Sequence, residues 1–276
     1  MQLPLSLRNA IEQEILKLGT GPLTKAAAEL SERYRRPSRP AHPEGQFITG
    51  EAQRLAYLAV RMPATFAAAH AVLSEVRRLA PEGRPEGRVE SLLDLGAGTG
   101  AASWAAAELF PDLQRCTLIE QDRQLIELGR RLAESSESPA LKSGHWQQLA
   151  FPTKTVLPPH DLVICSYVLG EIGERELGGL LDSAWQAASR FLVIIEPGTR
   201  RGFELIRTAR ETLLRLGGRT LAPCPHQNAC PMPADDWCHF SRRVERSSLH
   251  RRLKGAELGY EDEKFSYVAV TREPLP

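Results

Sequence analysis

The sequence predicts an α/β protein: a Rossmann-like sheet, preceded by a helical region and interrupted before its last strand by a cysteine-rich insertion. Three observations support this prediction. Short apolar runs alternate with helical patterns from residue 89 onward, glycines follow the first run at every second position, and three of the five cysteines fall between residues 224 and 238. Such alternation is typical of parallel sheets covered by helices.

The first 80 residues show helical patterns throughout, so we predict an N-terminal helical domain. The four predicted helices cover residues 5–18, 23–34, 51–61 and 64–79. We expect this domain to pack against the edge of the sheet or to roof its ligand cleft. The Gly/Pro-rich stretch 81–88 is the predicted linker to the Rossmann-like domain of residues 89–276, with the insertion at 221–242.

The turn after the first predicted strand has the composition of a ligand-binding turn. Residues 92–95 form an apolar run short enough for a buried strand, and the Ala-rich residues 101–110 predict a helix. Gly96, Gly98 and Gly100 stand between them, and their lack of a Cβ allows a tight turn and close approach of a ligand. This G-x-G-x-G spacing differs from the G-x-G-x-x-G of dinucleotide sites and from a P-loop.

Acidic residues end the first two predicted strands. Asp94 suits an amine-bearing ligand, and Glu120, in the strand predicted at 116–122, can accept hydrogen bonds from both ribose hydroxyls. With the glycine turn, these acids resemble the S-adenosylmethionine site of Rossmann-like class I methyltransferases. A turn without a ligand is the alternative. The residues assigned to this cofactor are Asp94, Gly96, Ala97, Gly98, Gly100, Glu120, Gln121 and Ser166.

Further strands and helices complete the predicted sheet. The strands are predicted at 141–145, 161–165, 191–196 and 264–271, and the helices at 122–135, 176–189 and 202–216. The loop that begins at Ser166 is where an open α/β sheet presents an acceptor. It lacks the Asn/Asp-Pro-Pro-aromatic motif of base-amine methyltransferases, and Cys165 at the end of its apolar strand is predicted as a core thiol. No catalytic residue is identified from the sequence.

The cysteine-rich insertion predicts a metal site. Cys224, Cys230 and Cys238, with His226 and His239 beside them, lie among prolines that prevent regular structure. Gathered thiolates suit a soft metal: zinc with three cysteines and a histidine or with four cysteines, or an iron–sulfur cluster with one further ligand. Three unrelated thiols are the alternative. The C-x5-C-x7-C spacing matches neither a zinc knuckle nor a ferredoxin, so it leaves the metal open.

Charge and composition narrow the possible partners and compartments. The net charge is +1, so affinity for nucleic acid must come from a local patch. Residues 200–254 carry twelve Lys and Arg against five Asp and Glu, an excess of seven positive charges that we interpret as a patch for RNA phosphate rather than as a solvated face. The absence of a long apolar run, of a leader pattern and of an even cysteine count predicts a cytoplasmic protein without a membrane span.

A second basic stretch has two interpretations. Arg33, Arg35, Arg36 and Arg39 lie at the end of the second predicted helix and in the loop after it. They form either a solvated connector or an arm that touches phosphate.

Several motifs together resemble one known family over nearly the whole chain. They are RMPATF at 61–66, the glycine turn, SYVLGE at 166–171, IEPG at 195–198, the C-P-H-x3-C-P segment with WCHF at 237–240, and KFSY at 264–267. These motifs are similar to those of the methyltransferase-like proteins of the small ribosomal subunit, a family that includes mitochondrial small-subunit assembly factors and bacterial relatives.

The resemblance implies a partner and a metal. The partner is small-subunit, 16S-type ribosomal RNA or its precursor. The metal centre, in some members a [4Fe–4S] cluster, is implied on Cys224, Cys230 and Cys238. Family members have a fourth cysteine beyond the last strand, which this sequence lacks, so either the chain is short or His226 or His239 completes the site.

Two functional hypotheses follow. The first is an S-adenosylmethionine-dependent RNA methyltransferase that acts on small-subunit rRNA in ribosome assembly or translation. The second is an assembly factor that retains the cofactor fold and binds rRNA without modifying it. The intact acids and glycines favour cofactor binding, and the missing acceptor motif favours the second hypothesis. A small-molecule methyltransferase is a third, weaker interpretation.

Overall fold

A computed structural model describes residues 1–18, 20–35, 50–80, 88–150 and 156–273 of the 276-residue chain. The helices are α1 Leu5–Leu16, α2 Thr20–Arg35, α3 Glu51–Val60, α4 Met62–Leu79, α5 Ala101–Leu109, α6 Arg123–Ala133, α7 Pro139–Lys142, α8 Glu174–Ala187, α9 Arg200–Arg215 and α10 Ser248–Lys254. The strands are β1 Ser91–Leu95, β2 Arg115–Glu120, β3 His145–Gln148, β4 His160–Ser166, β5 Ala188–Pro197, β6 Arg219–Ala222, β7 Phe240–Glu245 and β8 Tyr260–Thr271. The predicted α/β class is confirmed.

The strands form one mixed sheet in the order β3-β2-β1-β4-β5-β8-β6, and β7 also pairs with β8. Strands β1 to β5 are parallel, whereas β8 runs antiparallel to β5, β6 and β7. The central strands are apolar and buried on both faces, as parallel strands between helices must be. The carboxyl ends of β1, β2, β4 and β5 therefore meet along one edge, where open α/β sheets bind ligands.

Helices α3 and α4 pack against the sheet domain. Leu58 of α3 and Phe66 of α4 belong to the same apolar core as Leu92 of β1 and Trp104 of α5. Within the described residues, no single helix is long and apolar enough to span a membrane. Helices α3 and α4 reach the length and composition of a membrane span only when they are counted together, and they are bent by 44° where they meet.

Two sequence predictions for this region stay open. The predicted linker lies, except for its last residue, outside the described residues. The division into two domains therefore stays a prediction. Of the basic stretch after the second predicted helix, residues 36–49 are also outside the described part of the chain.

The sequence prediction differs from the structure in two places. The strand predicted at 141–145 is wrong, because those residues end helix α7 and β3 begins only at His145. Pro139 at the start of α7 favours the helix. The second difference is that β6, β7 and α10 were not predicted. Strand β7 carries Arg242 and Arg243 on the polar edge of the sheet, so it lacks the apolar run by which strands are found.

Candidate functional site

The glycine turn after β1 is held by backbone hydrogen bonds. The amides of Gly96 and Ala97 both donate to the carbonyl of Ile119 in β2, at 2.8 and 2.9 Å. Gly96, Gly98 and Gly100 have φ angles of +71°, +58° and +87°, which other residues rarely adopt. A Cβ on residue 96 would also lie only 2.3 Å from a methyl group of Val168. The turn therefore requires glycine for both conformation and space.

Asp94 is a buried carboxylate with one unused oxygen. Its Oδ2 accepts a hydrogen bond of 2.7 Å from the hydroxyl of Ser103 in α5. Among the described residues, Oδ1 has no hydrogen-bond partner, although the side chain is only 1% exposed. Burial raises the pKa of Asp94 to about 6, with a small further contribution from the charge of Glu120. A cation placed beside Oδ1 would stabilise the ionised form.

Glu120 at the end of β2 points toward the glycine turn. Its Oε2 accepts from the amide of Gly98 at 2.9 Å, and its Oε1 accepts from the amides of Gln121 and Asp122 at 2.8 and 2.9 Å. Burial raises the pKa of Glu120, while the three amide donors act against that shift. The side chain of Gln121 is exposed. These three hydrogen bonds fix Glu120 in place. Only one of them, from the amide of Gly98, goes to Oε2.

The loop after β4 contributes a strained tyrosine. Ser166 is buried, and within the described residues its hydroxyl has no hydrogen-bond partner. Tyr167 has a φ of +62°, a conformation that costs a large side chain roughly 1–3 kcal/mol. Its hydroxyl donates to Oε1 of Glu263 at 2.9 Å, and Arg61 donates to both oxygens of the same carboxylate at 3.1 and 3.2 Å. Burial raises the pKa of Tyr167 well above its ordinary value, and the neighbouring Glu263 adds to the shift.

The structure thus places all the residues assigned to the cofactor at the carboxyl edge of β1, β2 and β4. It adds residues that sequence reasoning missed: Arg54, Tyr57, Ser103, Asp122 and Glu263. The sequence did contain a signal for Asp122, because an aspartate just before a predicted helix is a common N-cap, and Asp122 caps α6. The partners of Arg54 and Arg61 lie 68 and 202 residues away, so spacing in the sequence could not indicate them.

The three cysteines of the insertion line one cavity of about 50 Å³. Cys224 is exposed, and Cys230 and Cys238 are half-buried. His226 lies on the same cavity, and its carbonyl accepts a 2.7 Å hydrogen bond from buried Arg210 of α9. Burial raises the pKa of Cys238, and the nearby Cys224 and Cys230 thiols add to this effect. The structure therefore brings three cysteines and one histidine to one place.

His239 is not among the residues that line that cavity. Its ring stacks on the ring of Trp237, with centroids 6.1 Å apart, and Trp237 donates from Nε1 to the carbonyl of Gly198. In the part of the chain that the structure describes, no three His, Cys, Asp or Glu side chains are arranged to hold a metal ion. The metal site predicted on Cys224, Cys230 and Cys238 accordingly stays a prediction.

The basic segment 200–254 does not form one patch. Arg219 of β6 pairs with Thr271 of β8, at the edge of the sheet where β5 begins. Arg242 of β7 pairs with Glu263 of β8, near the opposite edge, where β5 ends. Eight strand residues separate those two positions, which corresponds to about 27 Å. Arg243, Arg246 and Lys254 form ion pairs with Asp262 and Glu261. Tertiary structure therefore divides the positive charge between the two edges of the sheet.

Two named proteins are similar to this chain in sequence. The human ribosome assembly protein METTL17, mitochondrial, is 27% identical over 237 residues, which are 80% of this chain and 49% of that protein. The Rsm22-cox11 tandem protein 2, mitochondrial, of Schizosaccharomyces pombe is 27% identical over 259 residues, 85% of this chain and 34% of that protein. The chain thus spans half or less of the length of these two relatives.

Solved structures with a similar fold include two methyltransferases. Magnesium protoporphyrin IX methyltransferase from Synechocystis PCC 6803 is 12% identical and has a TM-score of 0.47; the match covers 90% of this chain and 95% of that chain. A TehB-like S-adenosylmethionine-dependent methyltransferase from Corynebacterium glutamicum is 16% identical and has a TM-score of 0.45, with coverage of 75% and 88%. The family described as mitochondrial small ribosomal subunit Rsm22 matches residues 51–275. The chain belongs to the Rsm22 family, as the motifs in its sequence predict.

Proposed function

We propose that this protein binds S-adenosylmethionine between the glycine turn and Glu120. The observation that carries the proposal is the pair of buried carboxylates, Asp94 and Glu120, on adjacent strands beside one bare backbone turn. Within the described residues, Asp94 Oδ1 and Ser166 Oγ have no partner, as expected of groups that contact a polar ligand. Asp94 would hold the amino group and Glu120 the ribose hydroxyls. When bound, the cofactor supplies an electrophilic methyl group.

Titration calorimetry with S-adenosylmethionine tests this site. Glu120→Gln removes a charged acceptor and turns an amide group toward Gly98, so we expect affinity to fall at least tenfold. Glu127→Gln, a half-exposed position on α6, is the matched control and should bind like the wild type. Equal affinity in all three proteins would reject the cleft as the cofactor site.

Asp94 should also make binding depend on pH. Without a cation beside it, Asp94 has a pKa of about 6, and an amine-bearing ligand must bind its ionised form. At lower pH the Asp94 carboxyl is protonated, so binding must first release that proton. We expect affinity to be constant above pH 7 and to fall below pH 6. A profile that is flat from pH 5 to pH 8 would show that Asp94 does not meet the amine.

We further propose that the protein works on the small ribosomal subunit and contacts 16S-type rRNA, in assembly or translation. Membership of the Rsm22 family and the name of the human relative, a ribosome assembly protein, support this proposal. The protein acts either as an RNA methyltransferase or as an rRNA-binding factor without methyl transfer. The engagement of Tyr167 by Glu263 and Arg61, in the loop expected to present the acceptor, favours the second form.

Two assays separate the two forms. Tritiated methyl transfer from S-adenosylmethionine onto purified small ribosomal subunits should occur with the wild type and stop in Glu120→Gln if the protein is a methyltransferase. Cofactor binding and rRNA binding without transfer would identify the non-catalytic factor. Loss of rRNA affinity at physiological salt would favour a small-molecule substrate instead.

The RNA contact is proposed at the cofactor edge of the sheet. Arg201 of α9, Arg242 of β7 and Lys264 of β8 are exposed there, near the end of β5. A triple change of these residues to Gln should weaken binding to 16S-type rRNA at least tenfold and reduce its salt dependence. The control is Arg215→Gln with Arg219→Gln, beyond the opposite edge of the sheet. Equal loss in both variants would contradict the assignment of this edge.

We also propose that Cys224, Cys230 and Cys238, with His226 as the fourth ligand, hold zinc or an iron–sulfur cluster. Their donor chemistry fits either group, and all four line one cavity. His239 is the alternative fourth ligand from the sequence, but it stacks on Trp237 instead. When bound, the metal would hold the thiolates together.

Elemental analysis and an absorbance spectrum of anaerobically purified protein test the metal proposal. Iron or zinc should be present in the wild type and lost in Cys224→Ser with Cys230→Ser. Cys116→Ala, a buried core thiol, is the control that should retain metal. Neither element in the wild type would reject the site. The cytoplasmic location also remains a proposal, which subcellular fractionation can test, since the two relatives compared above are named mitochondrial.

A further inference from the structure

Helix α3 presents one polar face to the cofactor cleft. Arg54 and Tyr57 belong to α3, and Arg61 continues its helical backbone at the junction with α4. Spacings of three and four residues place these side chains on one face of a helix. The two arginines are separated along the axis by about 10 Å. One face of α3 can therefore contact both sides of a ligand cleft.

The first arginine attaches α3 to the β2 side of the cleft. Arg54 donates from Nε and Nη2 to Oδ2 of Asp122, at 3.1 and 2.9 Å, and both residues are buried. Asp122 follows Glu120 by two residues, and its Oδ1 caps the first turn of α6. The ion pair thus connects α3 to the corner that positions Glu120.

The second arginine attaches α3 to the β4 and β8 side. Arg61 donates to both oxygens of Glu263 in β8, and Tyr167 from the β4 loop donates to one of them. The side chains of Arg61 and Glu263 are only 18% and 12% exposed. This contact joins α3 both to β8 and to the loop after β4.

Tyr57 lies between the two ion pairs, directly over the glycine turn. Its hydroxyl is 3.7 Å from the position that a Cβ on Gly98 would take. Burial raises the pKa of Tyr57, whereas the positive charge of Arg61 and a hydrogen bond with Thr65 act against that rise. Next to it, Thr99 donates to the sulfur of Met62 at 3.5 Å. A ligand on Gly98 would therefore touch Tyr57.

We propose that α3 is a clasp on the cofactor site: Tyr57 contacts the bound cofactor, and the ion pairs Arg54–Asp122 and Arg61–Glu263 hold the helix across the cleft. This inference rests on the proposed binding of S-adenosylmethionine at the glycine turn. A nucleoside enclosed between Gly98 and Tyr57 can leave only after α3 separates from one of its two carboxylate partners. The two ion pairs therefore set the rate at which the cofactor exchanges.

The dissociation rate of tritiated S-adenosylhomocysteine, measured by dilution and filter binding, tests the clasp. Arg54→Gln and Glu263→Gln should each raise the dissociation rate at least tenfold, and Tyr57→Phe should raise it severalfold. Arg54→Lys retains the charge and should restore most of the slow dissociation. Arg243→Gln breaks an exposed arginine–carboxylate pair between β7 and β8 and should leave the rate unchanged.

Hydrogen exchange of residues 51–60 provides a second readout. Bound S-adenosylhomocysteine should slow exchange of this segment in the wild type and slow it less in Arg54→Gln and Glu263→Gln. Binding to the wild type with unchanged rates in both variants would overturn the clasp alone. No binding to the wild type at all would overturn the proposed cofactor site, and with it this inference.

Discussion

The candidate cofactor cleft, formed by the glycine turn with Asp94 and Glu120, and the cysteine segment, residues 223–240, are built in different ways. In the cleft, backbone amides of the glycine turn and of β2 hold Glu120 and the turn itself. In the cysteine segment, most tethers come from outside: Arg210 of α9 to His226, Ser266 of β8 to the carbonyl of Cys238, and Trp237 to Gly198. The first region is organised by its own backbone and the second by its neighbours.

Because of this difference, we expect the two sites to respond differently to a ligand. The carboxylates of the cleft are positioned by the same hydrogen bonds that form the sheet, so the cleft exists as soon as the domain folds. The thiols lie on a proline-rich segment with little internal hydrogen bonding, and a metal would complete their arrangement. Metal binding and local folding are then coupled, as in other small metal sites. Four substitutions, given in order of decreasing effect, test this comparison.

The largest effect is expected in the glycine turn. Gly96→Ala must adopt a positive φ and also displace Val168, so we expect a loss of about 3 kcal/mol in the free energy of unfolding. Gly217→Ala is the control, because Gly217 also has a positive φ but open space around it, and should cost about 1 kcal/mol. Urea unfolding measures both. Equal losses would mean that the turn is less tightly packed than its geometry indicates.

The next effect concerns Asp94 and has a definite pH dependence. The folded pKa is about 6 and the ordinary value is 3.8, so the unfolded chain releases its proton first as pH rises. Ionised Asp94 therefore destabilises the fold above pH 6 by about 3 kcal/mol, and this penalty disappears as pH falls toward 4. At pH 7, Asp94→Asn should therefore unfold at a higher urea concentration than the wild type, with a free energy of unfolding about 2 kcal/mol larger. At pH 5 the increase in the free energy of unfolding should be smaller.

The same variant should lose affinity for S-adenosylmethionine, so stability and binding would change in opposite directions. Asp112→Asn, at a half-exposed aspartate, is the control and should change stability by less than about 0.5 kcal/mol. A gain in Asp94→Asn that is the same at pH 5 and at pH 7 would show that the pKa of Asp94 is not raised in the fold.

A smaller effect is expected from the main tether of the cysteine segment. Arg210→Met removes the hydrogen bond to the carbonyl of His226 but retains a side chain of similar length, so global stability should change by about 1 kcal/mol. Amide exchange of residues 224–230 should nevertheless increase at least tenfold. Arg207→Met, on the same helix and cavity, lacks that hydrogen bond and should leave the exchange unchanged. Equal loosening by both variants would contradict the role of Arg210.

The smallest effect is expected at Trp237. Trp237→Phe loses only the hydrogen bond to Gly198 and keeps an aromatic ring beside His239, so we expect a loss of about 0.5 kcal/mol in thermal unfolding. The matching change in the core, Trp104→Phe, should cost more because that side chain is buried beside β1. A larger loss at Trp237 than at Trp104 would mean that the cysteine segment supports the fold itself.

Prediction from sequence succeeded where the signal is local. The apolar run before Gly96 and the alanines after Gly100 each predict an element within a few residues of its observed ends. It failed between α9 and β8, because an edge strand with Arg242 and Arg243 exposed has no apolar run to reveal it. The position of Asp94 was predicted, whereas its contact with Ser103 required the α5 helix to fold back onto β1.

Sequence reasoning predicted the α/β class, the glycine turn, the two acids beside it and the clustering of the cysteines. These features depend on residue type and short-range spacing, through backbone conformation, strand burial and helix propensity. It did not predict that Arg54 meets Asp122, that Arg61 and Tyr167 share Glu263, or that the basic segment divides between two edges of the sheet. The reason is that these contacts join residues far apart in the chain, and packing alone brings them together.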